Sequence, residues 1–143
     1  MTVGRGTAGR GADPDGAKTI MLLDDDITTL LVLHAVLEPT RVRVIECEGE
    51  PCALHWVEER STKIDLLVAD VVLESSSGPA VADKVRPRQP RMKLLYISGF
   101  SLPELQRRGL LSTSEMRPGD VEFLQKPFSS EQFLDSVAKL LIQ

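Results

Sequence analysis

The sequence predicts an α/β domain, a parallel sheet with helices on both faces. Two observations carry this. Short apolar runs, "TIMLL" (19–23), "IDLLVAD" (64–70) and "MKLLYIS" (92–98), have the length and continuous hydrophobicity of strands buried on both sides. Between them lie segments whose apolar residues recur three and four apart, the spacing of one helix face. Buried strands alternating with helices cover both faces of a sheet only if the strands run parallel.

The elements follow in order. Residues 1–18 hold half of the chain's 10 glycines and almost no large apolar side chain, so they read as a flexible tail or linker. The folded domain spans 19–143. "ITTLLVLHAVLEP" (27–39) places Leu30, Leu31, Leu33, Val36 and Leu37 at helical spacing. Asp26 can cap that helix and Pro39 ends it. "RVRVIEC" (41–47) alternates as a strand does. "EPCALHWVEERS" (50–61) is a helix with proline in its first turn and Trp56 in the core. "GPAVADKVR" (78–86) is a short helix. "SLPELQRRGLL" (101–111) opens on a Ser101–Glu104 capping box, and 112–119 is loop. "DVEFLQ" (120–125) has the mixed character of an edge strand. "SSEQFLDSVAKLLIQ" (129–143) is a last helix, capped by Ser129 and Gln132, with Phe133, Val137, Leu140 and Leu141 as its apolar stripe.

Composition narrows the function. The chain has 143 residues, 42% hydrophobic and 27% charged, enough for one domain with an ordinary core. A net charge of −4 argues against a nucleic-acid surface. No run reaches the roughly 18 apolar residues of a membrane span, and the first residues lack the apolar stretch of a secretory signal. A cytoplasmic protein is expected. Cys47 and Cys52 are read as two buried thiols in a reducing compartment rather than a metal or redox pair. His34 and His55 are read as packing or surface residues.

In parallel sheets, ligands sit beyond the carboxyl ends of the strands. The polar residues lie there. Asp24 and Asp25 follow the first strand, Asp70 the third, Ser98 the fourth and Lys126 the fifth. If the first and third strands are neighbours, their carboxylates crowd one another, which raises their pKa values unless a cation intervenes. Mg²⁺ suits such a set, being a hard ion that takes one or two carboxylates, waters and a phosphate. With the Lys126 ammonium and the Ser98 hydroxyl, the edge is suited to a phosphoryl group. A carboxylate can itself carry that group.

The blocks "LLDDD", "LLVADVVLESSSG", "LLYISGF" and "FLQKPF" resemble, in order, the signatures of the bacterial response-regulator receiver domain. The last two are especially similar to receivers attached to the carboxyl end of hybrid histidine kinases. The resemblance implies a single flavodoxin-like (βα)5 domain with strand order 2-1-3-4-5. It implies Asp70 as phosphoacceptor, Asp25 and the Val72 main-chain carbonyl as Mg²⁺ ligands, and Asp24 acting through water. Ser98 matches the switch hydroxyl, Phe123 the switch aromatic and Lys126 the pairing lysine, with Lys126–Pro127 expected to be cis. Gly78 matches a loop-closing glycine. Glu74 stands where the family commonly has proline, so partner preference there is open. Gly99 should leave the phosphate accessible.

The implied partners are a histidine kinase or histidine phosphotransfer protein and a downstream protein target. A phosphorylation-dependent homodimer is left open. Neither nucleic acid nor membrane is a direct partner, and the domain is a signalling switch rather than an enzyme. Two alternatives stand beside it. "DDDIT" resembles the nucleophile motif of haloacid-dehalogenase-type phosphatases, with Asp24 as nucleophile. The chain could also be an unphosphorylated pseudo-receiver used for docking.

Overall fold

The computed structural model describes residues 16–142, so the tail expected over 1–18 falls largely outside the described residues. Five strands form one sheet: β1 (Thr19–Leu23), β2 (Arg43–Cys47), β3 (Leu66–Asp70), β4 (Lys93–Ser98) and β5 (Val121–Gln125). All neighbours pair in parallel, in the order β2-β1-β3-β4-β5. Five helices connect or follow them: α1 (Ile27–Leu37), α2 (Glu50–Leu54), α3 (Gly78–Val85), α4 (Leu102–Arg107) and α5 (Ser130–Leu141).

Side chains alternate across each strand and divide the core in two. Met21, Leu23, Ile45, Leu67, Ala69, Leu94 and Tyr96 face one side, packing with Trp56, Val81 and Leu105 from α3, α4 and the turn after α2. Ile20, Leu22, Val44, Leu66, Val68, Leu95 and Ile97 face the other, packing with Leu30, Leu33 and Leu37 of α1 and Phe133, Val137 and Leu140 of α5. The register then aligns the strand ends. Leu23 lies beside both Cys47 and Ala69, Asp70 beside Ile97, and Ser98 beside Gln125. Every residue that follows a strand end emerges at one edge.

Asp26 caps α1 as expected. Its carboxylate accepts from the Thr28 N–H at 3.0 Å and the Thr29 hydroxyl at 3.2 Å. Asp26→Ala should therefore cost about 1 kcal/mol, read as a lower urea midpoint with an unchanged slope. The Ser129–Gln132 capping box forms in full.

Several expectations need correction. Leu31 is 49% exposed, because the α1 stripe that meets the sheet is Leu30, Leu33 and Leu37. Only half of the Ser101–Glu104 box forms: Ser101 Oγ accepts from the Glu104 N–H, while the Glu104 carboxylate pairs with Arg107 and Arg108. The segment 112–119 contains a 3-10 turn, Thr113–Glu115, with its own Ser112–Glu115 capping box. The helix after β2 becomes a wide π turn over His55–Glu59, where the adjacent Trp56 and Val57 both reach the core.

The expected pair of free buried thiols is also overturned. Cys47 and Cys52 form a disulfide, with Cα atoms 5.4 Å apart. The cause is local. β2 ends on Cys47, and the chain turns into α2 through Glu48 and Gly49 alone. The first turn of the helix therefore brings Cys52 back beside the strand's last residue, within disulfide reach.

Candidate functional site

Asp24 lies just past β1, and its backbone N–H donates to the Cys47 carbonyl at 3.1 Å. That bond continues the β1–β2 ladder by one residue and turns the Asp24 side chain inward, where it is 4% exposed. Asp70 is the last residue of β3, the next strand across. Lys126 follows β5, and its N–H bonds to the Ser98 carbonyl at 2.8 Å, which anchors the lysine to β4. The Lys126 ammonium reaches back over the sheet edge, 3.1 Å from Asp70 Oδ2 and 3.8 Å from Asp24 Oδ2. Three groups from three strands thus converge as expected, and the Lys126–Pro127 peptide is cis.

The electrostatics follow from the crowding. Burial pushes the Asp24 carboxyl up to about 6 from 3.8. A hydrogen bond from the Asp26 N–H (2.8 Å) and the Lys126 charge oppose the rise, while the charge and hydrogen-bonding contact of Asp70 add to it. Burial works to lower the Lys126 pKa. The hydrogen bond and charge of Asp70, with Asp24 and Asp26 behind, outweigh it and hold the ammonium above its ordinary value. One ammonium is thus shared between two close carboxylates, and the site is short of positive charge.

Asp25 engages the loop beside this group. Its Oδ2 accepts from the Glu74 N–H at 2.6 Å, which ties the loop after β3 to the end of β1. No cluster of three His, Cys, Asp or Glu side chains able to hold a metal occurs among the described residues. Of the three carboxylates expected to converge, Asp24 and Asp70 face Lys126, while the Asp25 carboxylate is taken up by the loop that follows Asp70. Asp25 is exposed at the bend between β1 and α1, with its carboxylate on the loop after β3. The remaining donors still suit Mg²⁺. Two crowded carboxylates sharing a single ammonium, one of them with a raised pKa, are hard oxygen ligands, and Mg²⁺ binds through one or two such groups with water.

The other expected residues lie around this centre. The Val72 N–H donates to Asp70 Oδ1 at 3.0 Å, so the Val72 peptide adjoins the carboxylate through its donor. Ser98 is 1% exposed, and its hydroxyl oxygen accepts from the Phe100 N–H at 3.0 Å. Phe123 is half-buried on β5 beside Tyr96 and packs on the α2–α4 side of the sheet. A Cβ on Gly78 would lie 2.5 Å from the Asp70 carbonyl oxygen, whereas one on Gly99 would meet nothing within 4 Å. The backbone N–H groups of Val72, Glu74 and Phe100 were not anticipated as partners of site side chains. Every non-proline residue carries such a donor, so side-chain identity does not mark them.

Comparison with known proteins agrees with this fold. Residues 20–138 match the family described as the response regulator receiver domain. The chain is 27% identical over 134 residues to Sensor kinase CckA of Brucella abortus (strain 2308), covering 92% of this chain and 13% of that protein. It therefore spans about an eighth of that relative's length. It is 26% identical over 125 residues to the Response regulator receiver protein CpdR of the same strain, covering 87% of this chain and 98% of CpdR. A crystal structure of a response regulator receiver protein from Sinorhizobium medicae WSM419 superposes with a TM-score of 0.72 at 30% identity, covering 89% and 96% of the two chains. The matched span runs from β1 into α5 and takes in all five strand ends, and this chain belongs to the response regulator receiver domain family of two-component signalling.

Proposed function

We propose that this domain accepts a phosphoryl group on the Asp70 carboxylate and acts as a switch in a two-component phosphorelay. The observation that carries the reading is the convergence of Asp24, Asp70 and Lys126 at the carboxyl edge of a parallel sheet. Asp70 Oδ attacks the donor's phosphorus, and the bond to the donor's leaving group breaks as the acyl phosphate forms. Mg²⁺, when bound, offsets charge on the phosphoryl oxygens. Asp70 and Asp25, with the Val72 carbonyl, would hold it, and Asp24 would act through water, as the family resemblance implies. Lys126 is already a hydrogen-bond donor to the Asp70 oxygen and supplies the second positive charge.

Ser98 Oγ accepts from Phe100 and keeps its own proton to donate. We assign it the switch hydroxyl and Phe123 the aromatic that follows it, so that a local charge event reshapes the face carrying β5. The donor is a histidine kinase or a histidine phosphotransfer protein. Ile27, Leu31 and Val32 on α1 are 52%, 49% and 54% exposed beside the site, an apolar surface suited to such a partner. The output is a downstream protein target or a phosphorylation-dependent homodimer. The setting is the bacterial cytoplasm. No helix among the described residues is long and apolar enough to cross a membrane.

The test is mass spectrometry after incubation with a small phosphodonor and Mg²⁺. One phosphoryl group should map to Asp70, and Asp70→Asn should take up none. Chelation of Mg²⁺ should suppress uptake in the wild type. A phosphoryl group mapped to Asp24 would favour a phosphatase of the haloacid-dehalogenase type. No uptake, with no Mg²⁺ binding, would leave a docking module.

A further inference from the structure

We propose that Cys47 and Cys52 are a reversible thiol–disulfide modification site that governs the rigidity of the sheet edge beside Asp24. The pair joins the last residue of β2 to the first turn of α2. Cys47 is fully buried, while Cys52 is partly exposed, so reagents reach the pair through Cys52. The Cys47 carbonyl accepts the Asp24 N–H at 3.1 Å, and Leu23 lies beside Cys47 in the ladder. The bond therefore clamps the peptide that positions Asp24.

Breaking the bond has a definite consequence. Two free thiols cannot keep their sulfur atoms at bonding distance, so one end must move. Cys47 is fully buried and belongs to the same core cluster as Ala53, Trp56 and Val57. Among the described residues β2 is an edge strand, paired with β1 alone. α2 runs five residues before the π turn. Relaxation thus falls on the β2–α2 junction at Glu48 and Gly49, one hydrogen bond from Asp24.

The chemistry balances with a peroxide as oxidant. Hydrogen peroxide converts the Cys52 thiol to a sulfenic acid, its O–O bond breaking and one water leaving. The Cys47 sulfur then attacks the Cys52 sulfur, the S–O bond breaks, and a second water carries off the hydroxyl and the Cys47 proton. Two thiols lose two electrons and two hydrogens, and the peroxide becomes two waters. A small dithiol reverses the step by exchange, ending as a disulfide itself while both cysteines regain their protons.

The experiment uses the full chain without Mg²⁺ or phosphodonor, so its outcome is independent of phosphorylation at Asp70. Samples treated with hydrogen peroxide or dithiothreitol are alkylated and weighed intact, and amide hydrogen exchange is followed at Asp24. Peroxide should protect both cysteines from alkylation and lower the mass by two hydrogens, and dithiothreitol should undo both. The Asp24 amide should exchange about fivefold faster in the reduced form. Cys52→Ser should match the reduced rate whatever the treatment. If that variant does not fold, the reduced wild type supplies the same comparison. The proposal is overturned if both cysteines still alkylate after peroxide, if Cys52 proceeds to sulfinic acid unpaired, or if Asp24 exchanges equally in both forms.

Discussion

Gly78→Ala should destabilise the domain by about 3 kcal/mol, at the top of the range for overpacking a tight site. The glycine is the first residue of α3, and its N–H bonds to the Val71 carbonyl at 2.9 Å. A methyl group there would lie 2.5 Å from the Asp70 carbonyl oxygen and 3.2 Å from Ala69 Cβ. Both neighbours belong to the buried central strand β3, so neither can swing aside. The helix must lift or the strand end must bend. For a domain of this size the loss corresponds to a fall in Tm of roughly 10 °C. Because the displaced peptide is that of Asp70, phosphoryl uptake should drop as well. Gly99→Ala is the control: its methyl meets open space, and Tm should stay within about 2 °C. A Gly78→Ala protein with wild-type Tm would refute the contact.

Asp24→Asn should do the opposite and stabilise the protein at neutral pH. The carboxyl of Asp24 is raised to about 6 from 3.8, chiefly by burial. A raised folded-state pKa means that folding favours the protonated form. This group's contribution is fully present below pH 4 and is lost as pH rises through 6. A shift of that size corresponds to up to about 3 kcal/mol at pH 7. Asparagine keeps the shape and removes the charge. The Tm gap between variant and wild type should be wide at pH 7 and close below pH 4. Millimolar Mg²⁺ should narrow the gap at pH 7 by raising the wild-type Tm alone, and a chelator should reopen it. Wild type more stable than Asp24→Asn at pH 7 without metal would overturn the electrostatic account.

The sheet was legible because its signal is strong and local. A buried central strand must be apolar on both faces, as "TIMLL" and "LLVAD" are, and a helix on the sheet must repeat near every 3.6 residues. Positions of Asp24, Asp70, Ser98 and Lys126 at strand ends followed from the same pattern. Parallel pairing then brought those ends to one edge. Less legible were the places where short-range competition decides. Ser101 and Glu104 carry a capping-box sequence, but two arginines one turn on compete successfully for the glutamate. Leu31 fits a helical stripe, yet it lies off the Leu30, Leu33 and Leu37 face that meets the sheet.

By itself, then, the chain of residues determined the order of strands and helices, the half-polar strand ends and the residue types available for phosphoryl chemistry. Each depends on periodicity and on neighbours close in the polymer. The three-dimensional packing decided what depends on angles between elements. It tied Asp25 to the Glu74 amide, turned Ser98 toward Phe100, and bonded Cys47 to Cys52. Those outcomes are set by distances of a few ångströms between groups far apart along the chain, or by the pitch of a single turn, and no one-dimensional pattern encodes them.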